Sequence, residues 1–518
     1  MLIAPYIKPL YTRLKSAPEL ALWGLIAAIL VASTIFVLYR PFNPDVSWGL
    51  TLGDRILAGE VIYKDVLETN PPMTVLLYLP ASYLSHLIGG QPETYTVILT
   101  ALVFIGSVTS SLCIARETLD GTDRLVLMAS ATVAIWLMWL GSFAEREQFA
   151  VMALLPTIAL WHVRLTGGKA TMTSIIVAGI GGGVATAIKP YFCLCLIIPA
   201  LYATVLRRDV RFLLCPEYWI AAALVVFYLL TVYVCFPLYF ETQVPVLTQT
   251  YLVFRLPVID LLNRPEWRIC ASWLCVLFLV RPSVLKSSHC GMALLLAGTG
   301  FFIAFILQGK GYTNHALAAV SLVSFGVLGL LFRPWMAAVR DRAMPFLPRN
   351  LAVIGGIWVV ATMLWLTFQE DVSVNTRSMA FVGDIKAIPD AHTLMTISPN
   401  LDVGHPLART AGVSYVGSVS SLWLAASAAH RRDQPGSSEA LVAQMQRYIE
   451  LDMQRLRADI IAKKPDLIVF DYSQMRGLTS KREMFATYRV LRSYEKVRSE
   501  DGLNLLVRKS LIRAQRNT

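Results

Sequence analysis

Asp45 stands in the run Arg40-Pro41-Phe42-Asn43-Pro44-Asp45-Val46-Ser47-Trp48, directly after the apolar stretch Ala21 to Tyr39. A carboxylate within hydrogen-bond reach of a hydroxyl can take its proton while the oxygen attacks an electrophile. The plain alternative is a cap for a helix over Ser47 to Leu57. Three more polar clusters break apolar sequence: Glu145-Arg146-Glu147-Gln148, Lys189-Pro190-Tyr191 and Gly309-Lys310-Gly311-Tyr312-Thr313-Asn314-His315. Lys310, Lys189 and Arg146 are cations that could offset a phosphate. The glycines beside Lys310 let backbone approach an anion, and Tyr312 and His315 stand at the start of the next helix, where negative charge is favoured. The spacing is not that of a P-loop. Glu145 and Glu147 are further candidates, because charge near membrane depth is costly and commonly marks function. A last stretch, Tyr63-Lys64-Asp65-Val66-Leu67-Glu68-Thr69-Asn70-Pro71-Pro72, sets Tyr63, Asp65, Glu68 and Asn70 into a tight turn that either serves chemistry or anchors a hairpin at the interface.

The surrounding chain must hold these groups at a membrane. Of its 518 residues 56% are hydrophobic and only 15% charged, against about 25% charged in soluble domains. The net charge of +12 sits largely in short loops, such as Arg207 to Arg211 and Arg333 to Arg349, where the positive-inside bias places it. That argues against nucleic acid as a partner. The N-terminal Lys8, Arg13 and Lys15 precede the first apolar run, with no small-residue cleavage site after it, so that run reads as a retained signal anchor. Alternation from a cytoplasmic N-terminus gives about eleven spans, at roughly 21–39, 94–115, 125–143, 148–163, 171–188, a sixth returning to Arg207, Arg208 and Arg211, then roughly 217–236, 266–280, 291–308, 315–332 and 351–368. Basic turns such as Arg281 with Lys286 then fall inside, and all four polar clusters fall outside. Pro71 to Leu87 is apolar but short, and is expected to lie along the interface. The parity of every later span hinges on it.

Composition changes after Gln369, so the expected division is a membrane module over 1–369 and a soluble α/β domain over 370–518. Thr393–Ser398 and Asp466–Phe470 read as strands. Between them Leu441, Met445, Ile449, Met453, Leu456 and Ile460 recur at helical spacing. Tyr488–Val497 and Leu503–Val507 read as a hairpin across Glu500-Asp501-Gly502. The eight cysteines lie in or beside apolar runs and none follows residue 290, so they read as packing residues. No metal-ligand spacing occurs; a divalent ion stays open.

An acid just after the first span, a long first outer loop with an aromatic–acid–x–Pro–Pro run, about eleven helices and an outer soluble domain together resemble the GT-C superfamily. These are integral-membrane glycosyltransferases using polyprenyl-phosphate sugars, such as lipid A aminoarabinose transferases, protein O-mannosyltransferases and rhizobial lipopolysaccharide-core transferases. The resemblance covers about residues 1–370 and rests on Asp45, Tyr63 through Pro72, and Gly309 through His315. It implies Asp45 as catalytic base and a phosphate held by Lys310, His315, Lys189, Arg146 and Tyr312. Many members carry a second acid after the first, where this chain has Val46, and Lys before the paired prolines, where it has Asn70. Sugar transfer to an envelope lipid, glycan or protein at the outer face of a bacterial inner membrane is then expected, with the C-terminal domain periplasmic. A transporter or lipid flippase without covalent chemistry is the rival. The loop Pro237 to Trp267, with Arg255, is expected to gate the lipid donor. The soluble domain is expected to position the acceptor or brace the outer face, with His405 a weak candidate for touching substrate.

Overall fold

The computed structural model describes residues 17–280, 288–341, 346–374 and 377–516. Lys8, Arg13, Lys15, Arg281, Lys286 and Arg342 lie outside them. Apolar helices stand at the expected spans: Ala17–Leu38, Pro92–Ile114, Gly121–Ala131, Arg146–Leu165, Met172–Ile188, Leu194–Arg207, Pro216–Cys235, Pro265–Val280, His289–Gln308, Thr313–Asp341 and Phe346–Val374. Among the described residues nine helical stretches are long and apolar enough to cross a membrane. Met172–Ile188 is apolar but shorter, and Pro265–Val280 has 16 residues. The chain is a multi-pass membrane protein. Met73–Ile88 is a further apolar helix, over the stretch expected to lie along the interface.

The chain divides into two compact units. The first comprises the described parts of Met1–Arg40, Val97–Tyr228 and Leu256–Glu370. Its most buried element is Arg146–Leu165. The helix Met172–Ile188 packs closely on it through glycine: a Cβ on Gly181 would come within 2.1 Å of the Ala153 carbonyl oxygen, the close backbone approach that small residues permit between membrane helices. The third span departs from a plain helix. Gly121–Ala131 runs into a π turn at Thr132–Trp136 and a 3-10 turn at Leu137–Trp139. Such bulges release carbonyls from the ladder. Gln148 donates to the freed Ile135 carbonyl at 2.8 Å and accepts from the Ala144 amide at 2.7 Å.

The second unit comprises Pro41–Thr96, Leu229–Arg255 and the described part of Asp371–Thr518. The change of composition at residue 370 is thus not where packing divides: two earlier stretches join the soluble sequence. Its centre is a five-stranded sheet of order β2-β1-β3-β5-β4, with β1 Thr393–Ile397, β2 Ser414–Tyr415, β3 Leu467–Asp471, β4 Tyr494–Glu500 and β5 Leu503–Arg508. β1 is parallel to β2 and β3, and β5 is antiparallel to β3 and β4. β3 is buried at every residue because both faces are covered. Ile468 and Phe470 meet the helices Trp423–Arg432 and Glu439–Lys463, the latter presenting the expected Met445, Ile449, Met453, Leu456 and Ile460. Leu467 and Val469 on the other face meet Trp48, Leu52, Ile62, Tyr63, Val66 and Val75. The stretch Pro41–Thr96 therefore supplies part of the core on that face of the sheet.

One boundary differs from expectation. β4 begins at Tyr494, six residues after Tyr488. Residues Lys481–Val490 form a helix instead, started by the Ser480 hydroxyl, which accepts from the Glu483 amide at 3.2 Å. The Ser-x-x-Glu pattern is a helix start, and it outweighs the strand propensity of Tyr488 and Val490.

Candidate functional site

In the first unit, three of the polar clusters converge. Glu147 lies in the first turn of Arg146–Leu165 and is fully buried. Lys189, the residue that ends Met172–Ile188, reaches Glu147 Oε1 at 2.5 Å and Gln308 Oε1 at 3.1 Å. His315 Nε2 stands 3.8 Å from the same Glu147 oxygen. Glu147 Oε2 and His315 Nδ1 have no hydrogen-bond partner within the protein. Arg146, Lys310 and Glu145 act electrostatically on members of this group. Three cations therefore face two carboxylates, and the cluster is positive by one charge when His315 is neutral.

Lys310 is buried between Gly309 and Gly311, which adopt φ of 68° and 70°. Both glycines are needed: L-residues disfavour that region, and a Cβ on Gly311 would come within 2.5 Å of Leu256 Cδ1. Gly309 ends His289–Gln308, and its carbonyl accepts from the Leu256 amide at 2.8 Å. Tyr312 is half exposed, and its ring meets that of His315 edge-on at 5.4 Å. The arrangement is a set of three cations around two carboxylates, with net positive charge, suited to binding an anion. Its carboxylates also restrain the cations: Lys189 is already shared between Glu147 and Gln308. Sequence reasoning missed Gln308, and it named Gln148 only as part of its cluster, without a role. The only signal for Gln308 was a polar residue closing an apolar run just before Gly309.

The second unit holds Asp45 and the Tyr63–Asn70 stretch. Asp45 lies in the first turn of the helix Pro44–Leu57 and is partly exposed. The cap is Asn43, whose Oδ1 accepts from the Val46 amide at 3.0 Å. Capping is thus not what Asp45 does. Directly after it, Val46 starts the buried run of this helix, with Trp48 and Leu52 in the sheet core. Glu68 is buried and saturated. Its Oε1 accepts from the Thr69 hydroxyl at 3.1 Å and from the Asn70 amide and side chain at 2.8 and 2.6 Å, and its Oε2 accepts from Trp48 Nε1. Tyr63, at φ 68°, donates its hydroxyl to the Asn70 carbonyl at 2.7 Å, and its ring lies 5.2 Å from that of Tyr239. A non-glycine residue at positive φ is uncommon; here the buried ring and the Tyr63–Asn70 bond hold it. Asp65 is exposed and closes its own turn by accepting from the Val61 amide. Glu68, Asn70 and Tyr63 form a brace around the Pro71-Pro72 turn.

Long-range bonds fix this brace on the sheet. The Leu67 amide donates to the Ser418 carbonyl at 2.8 Å, Arg55 donates to the Gly417 carbonyl, and Arg409 pairs with Asp54 and Glu93 at 2.7 and 2.5 Å. His405 is fully buried between Trp48 and Tyr415, at ring distances of 5.0 and 4.6 Å, so it does not reach a surface substrate. Burial drives its imidazole down to about 3, helped by the charges of Arg409 and Arg55. Asp466 and Asp471 serve the backbone: Asp466 accepts from the His392 and Thr393 amides and Asp471 from the Gln474 amide. In the loop Pro237 to Trp267, Arg255 is exposed, and the part in this unit is tied down through Gln249, which receives Arg431, Gln444 and Tyr448. Among the described residues no three His, Cys, Asp or Glu side chains gather as metal ligands.

No family model matches this sequence, and no curated protein does. Solved structures do. The chain is similar to ArnT from Cupriavidus metallidurans in the apo state, at TM-score 0.59 and 14% identity, over 96% of this chain and 99% of that one. The same protein bound to undecaprenyl phosphate is matched at TM-score 0.57 and 12% identity, over 96% and 99%. The likeness runs almost end to end, and it gives the chain the GT-C fold.

Proposed function

We propose that this protein is a glycosyltransferase that moves a sugar from a polyprenyl-phosphate donor to a hydroxyl of an envelope lipid, glycan or protein. The observation that carries the reading is the convergence of Arg146, Lys189 and His315 on one buried carboxylate, Glu147, with Lys310 acting on His315 beside it. A buried, positive cluster of this kind suits a phosphate. The fold neighbour holds undecaprenyl phosphate, which supports a polyprenyl chain as the phosphate's carrier.

The reaction follows from the groups available. Asp45 takes the acceptor proton as the hydroxyl oxygen attacks the anomeric carbon. The bond from that carbon to the phosphate oxygen breaks, and its electron pair stays on the phosphate. Lys310, Arg146 and Lys189 offset the charge that develops there, a large electrostatic contribution in such sites, and His315 donates a hydrogen bond. The products are the glycosylated acceptor, with inverted configuration, and polyprenyl phosphate. Glu147 holds Lys189 in place and offsets part of the positive charge of the cluster. The membrane module over 1–369 supplies the donor site, and the domain over 370–518 braces the helix that carries Asp45. The basic turns support a cytoplasmic N-terminus and a soluble domain on the outside, in a bacterial inner membrane.

The test uses purified protein in lipid nanodiscs with undecaprenyl-phosphate pentose and hexose donors, measuring release of undecaprenyl phosphate and transfer to an envelope-glycan extract. Release and transfer by wild type, both lost in Asp45→Asn, support the reading. Near-wild-type transfer by Asp45→Asn, or failure of the wild type to bind undecaprenyl phosphate at all, would sink it.

A further inference from the structure

The soluble unit has an open groove of about 510 Å³ against the β3–β5–β4 side of its sheet, far in sequence from Asp45. Its floor is Phe470 of β3, almost fully buried. Two tyrosines stand on that floor. Tyr472 meets Phe470 edge-on at 6.1 Å and 83°, and Tyr488 of the helix Lys481–Val490 does so at 5.9 Å and 76°. Their rings are nonetheless 41% and 43% exposed. Asn504 of β5 and Ser499 and Lys496 of β4 line the same groove. Two fixed, half-exposed rings cost little entropy to present, and they carry an apolar face and a hydroxyl each. Amide, hydroxyl and ammonium groups lie beside them.

That mixture fits one class of ligand. A pyranose ring has an apolar face of C–H bonds that stacks on tyrosine and a rim of hydroxyls that need amide and hydroxyl partners. A lipid tail would leave Asn504, Ser499 and Lys496 without partners. The lining has one cation and no carboxylate among the described residues, which disfavours a cationic amino sugar. The volume lies in the range of ordinary small-molecule sites. We infer that this groove is a saccharide subsite that takes an uncharged or acidic sugar residue. Its assignment to the acceptor rests on the glycosyltransferase reading; the binding itself does not.

Saturation-transfer NMR on the full-length protein in lipid nanodiscs tests it, with maltoside detergents avoided because their headgroup is itself a saccharide. The probes are methyl glucoside, methyl galactoside, methyl glucuronide and methyl glucosaminide. Saturation should reach the ring protons of at least one of the first three, and reach the glucosaminide less. The double variant Tyr472→Ala/Tyr488→Ala should weaken binding by about tenfold, while Tyr472→Phe/Tyr488→Phe retains the stacking and most of the affinity. Asp45→Asn protein should bind as wild type does, so a failure of the catalytic reading and a failure of this one give different results. No transfer to any glycoside, transfer that survives the double alanine variant, or occupation of the groove by a peptide strand paired along β4 would each overturn the inference.

Discussion

The indole N–H of Trp48 donates to Glu68 Oε2, so the helix that carries Asp45 is bonded to the turn before Pro71. Glu68 accepts every one of its four bonds. Glutamine there would set an NH2 donor against donors. Glu68→Gln should therefore cost about 1–3 kcal/mol, the penalty of leaving buried polar groups unmatched. It should lower the melting temperature and donor turnover together. Thermal melts in nanodiscs alongside donor hydrolysis check this, and an unchanged melting temperature would count against the brace.

Asp45 and Asn43 separate chemistry from capping. Asn43→Ala should destabilise the helix Pro44–Leu57 by about 1 kcal/mol, as loss of an N-cap does, with a modest effect on turnover. Asp45→Asn should leave the melting temperature near wild type and lower transfer by about 10²–10⁴-fold, the usual contribution of a general base. Equal effects of the two on turnover per folded molecule would remove Asp45 from the chemistry.

Much of the membrane part was legible because its signals are local. An apolar run between basic turns becomes a helix wherever it occurs, and the helix Glu439–Lys463 announced itself by periodicity. The polar clusters were visible too, since charge interrupting apolar sequence is conspicuous. What could not be read was long-range. Arg55 to Gly417, Leu67 to Ser418 and Arg409 to Asp54 join residues more than 340 positions apart. No periodicity encodes that residues of Pro41–Thr96 help cover one face of a sheet built from the last quarter of the chain. The partner of Lys189 was missed for a similar reason: Glu147 and Gln308 come from helices whose register sequence does not fix.

Lys189 and Glu147 form a buried pair at 2.5 Å. Lys189→Met leaves Glu147 without its hydrogen-bonded cation, and breaking a buried pair from one side costs about 3–5 kcal/mol. Adding Glu147→Gln should restore most of that stability, because the uncompensated charge is gone. If Lys189 also holds the donor phosphate, the double variant should recover its melting temperature but not its affinity for undecaprenyl phosphate. Recovery of both would make the pair purely structural.

His405 and Asp452 should give the soluble unit opposing pH responses. Burial holds the His405 imidazole down, to about 3 from 6.5, and burial pushes the Asp452 carboxyl up to about 6 from 3.8, against the Ala425 amide that it accepts from. Unfolded His405 takes a proton below about pH 6.5 that the folded state refuses until about pH 3. Its contribution is therefore complete above pH 6.5 and lost as the pH falls through that window. Asp452 runs the other way: its favourable contribution is present below about pH 3.8 and lost as the pH rises to about 6. Asp452→Asn keeps an acceptor for the Ala425 amide without the buried charge. It should stabilise the protein at pH 7 by about 1–3 kcal/mol and steepen the loss of stability between pH 6 and pH 4. His405→Leu should flatten that same loss. Melting temperatures of the full-length protein in nanodiscs at pH 4, 5, 6 and 7 decide it; parallel curves for wild type and both variants would show that neither group titrates with folding.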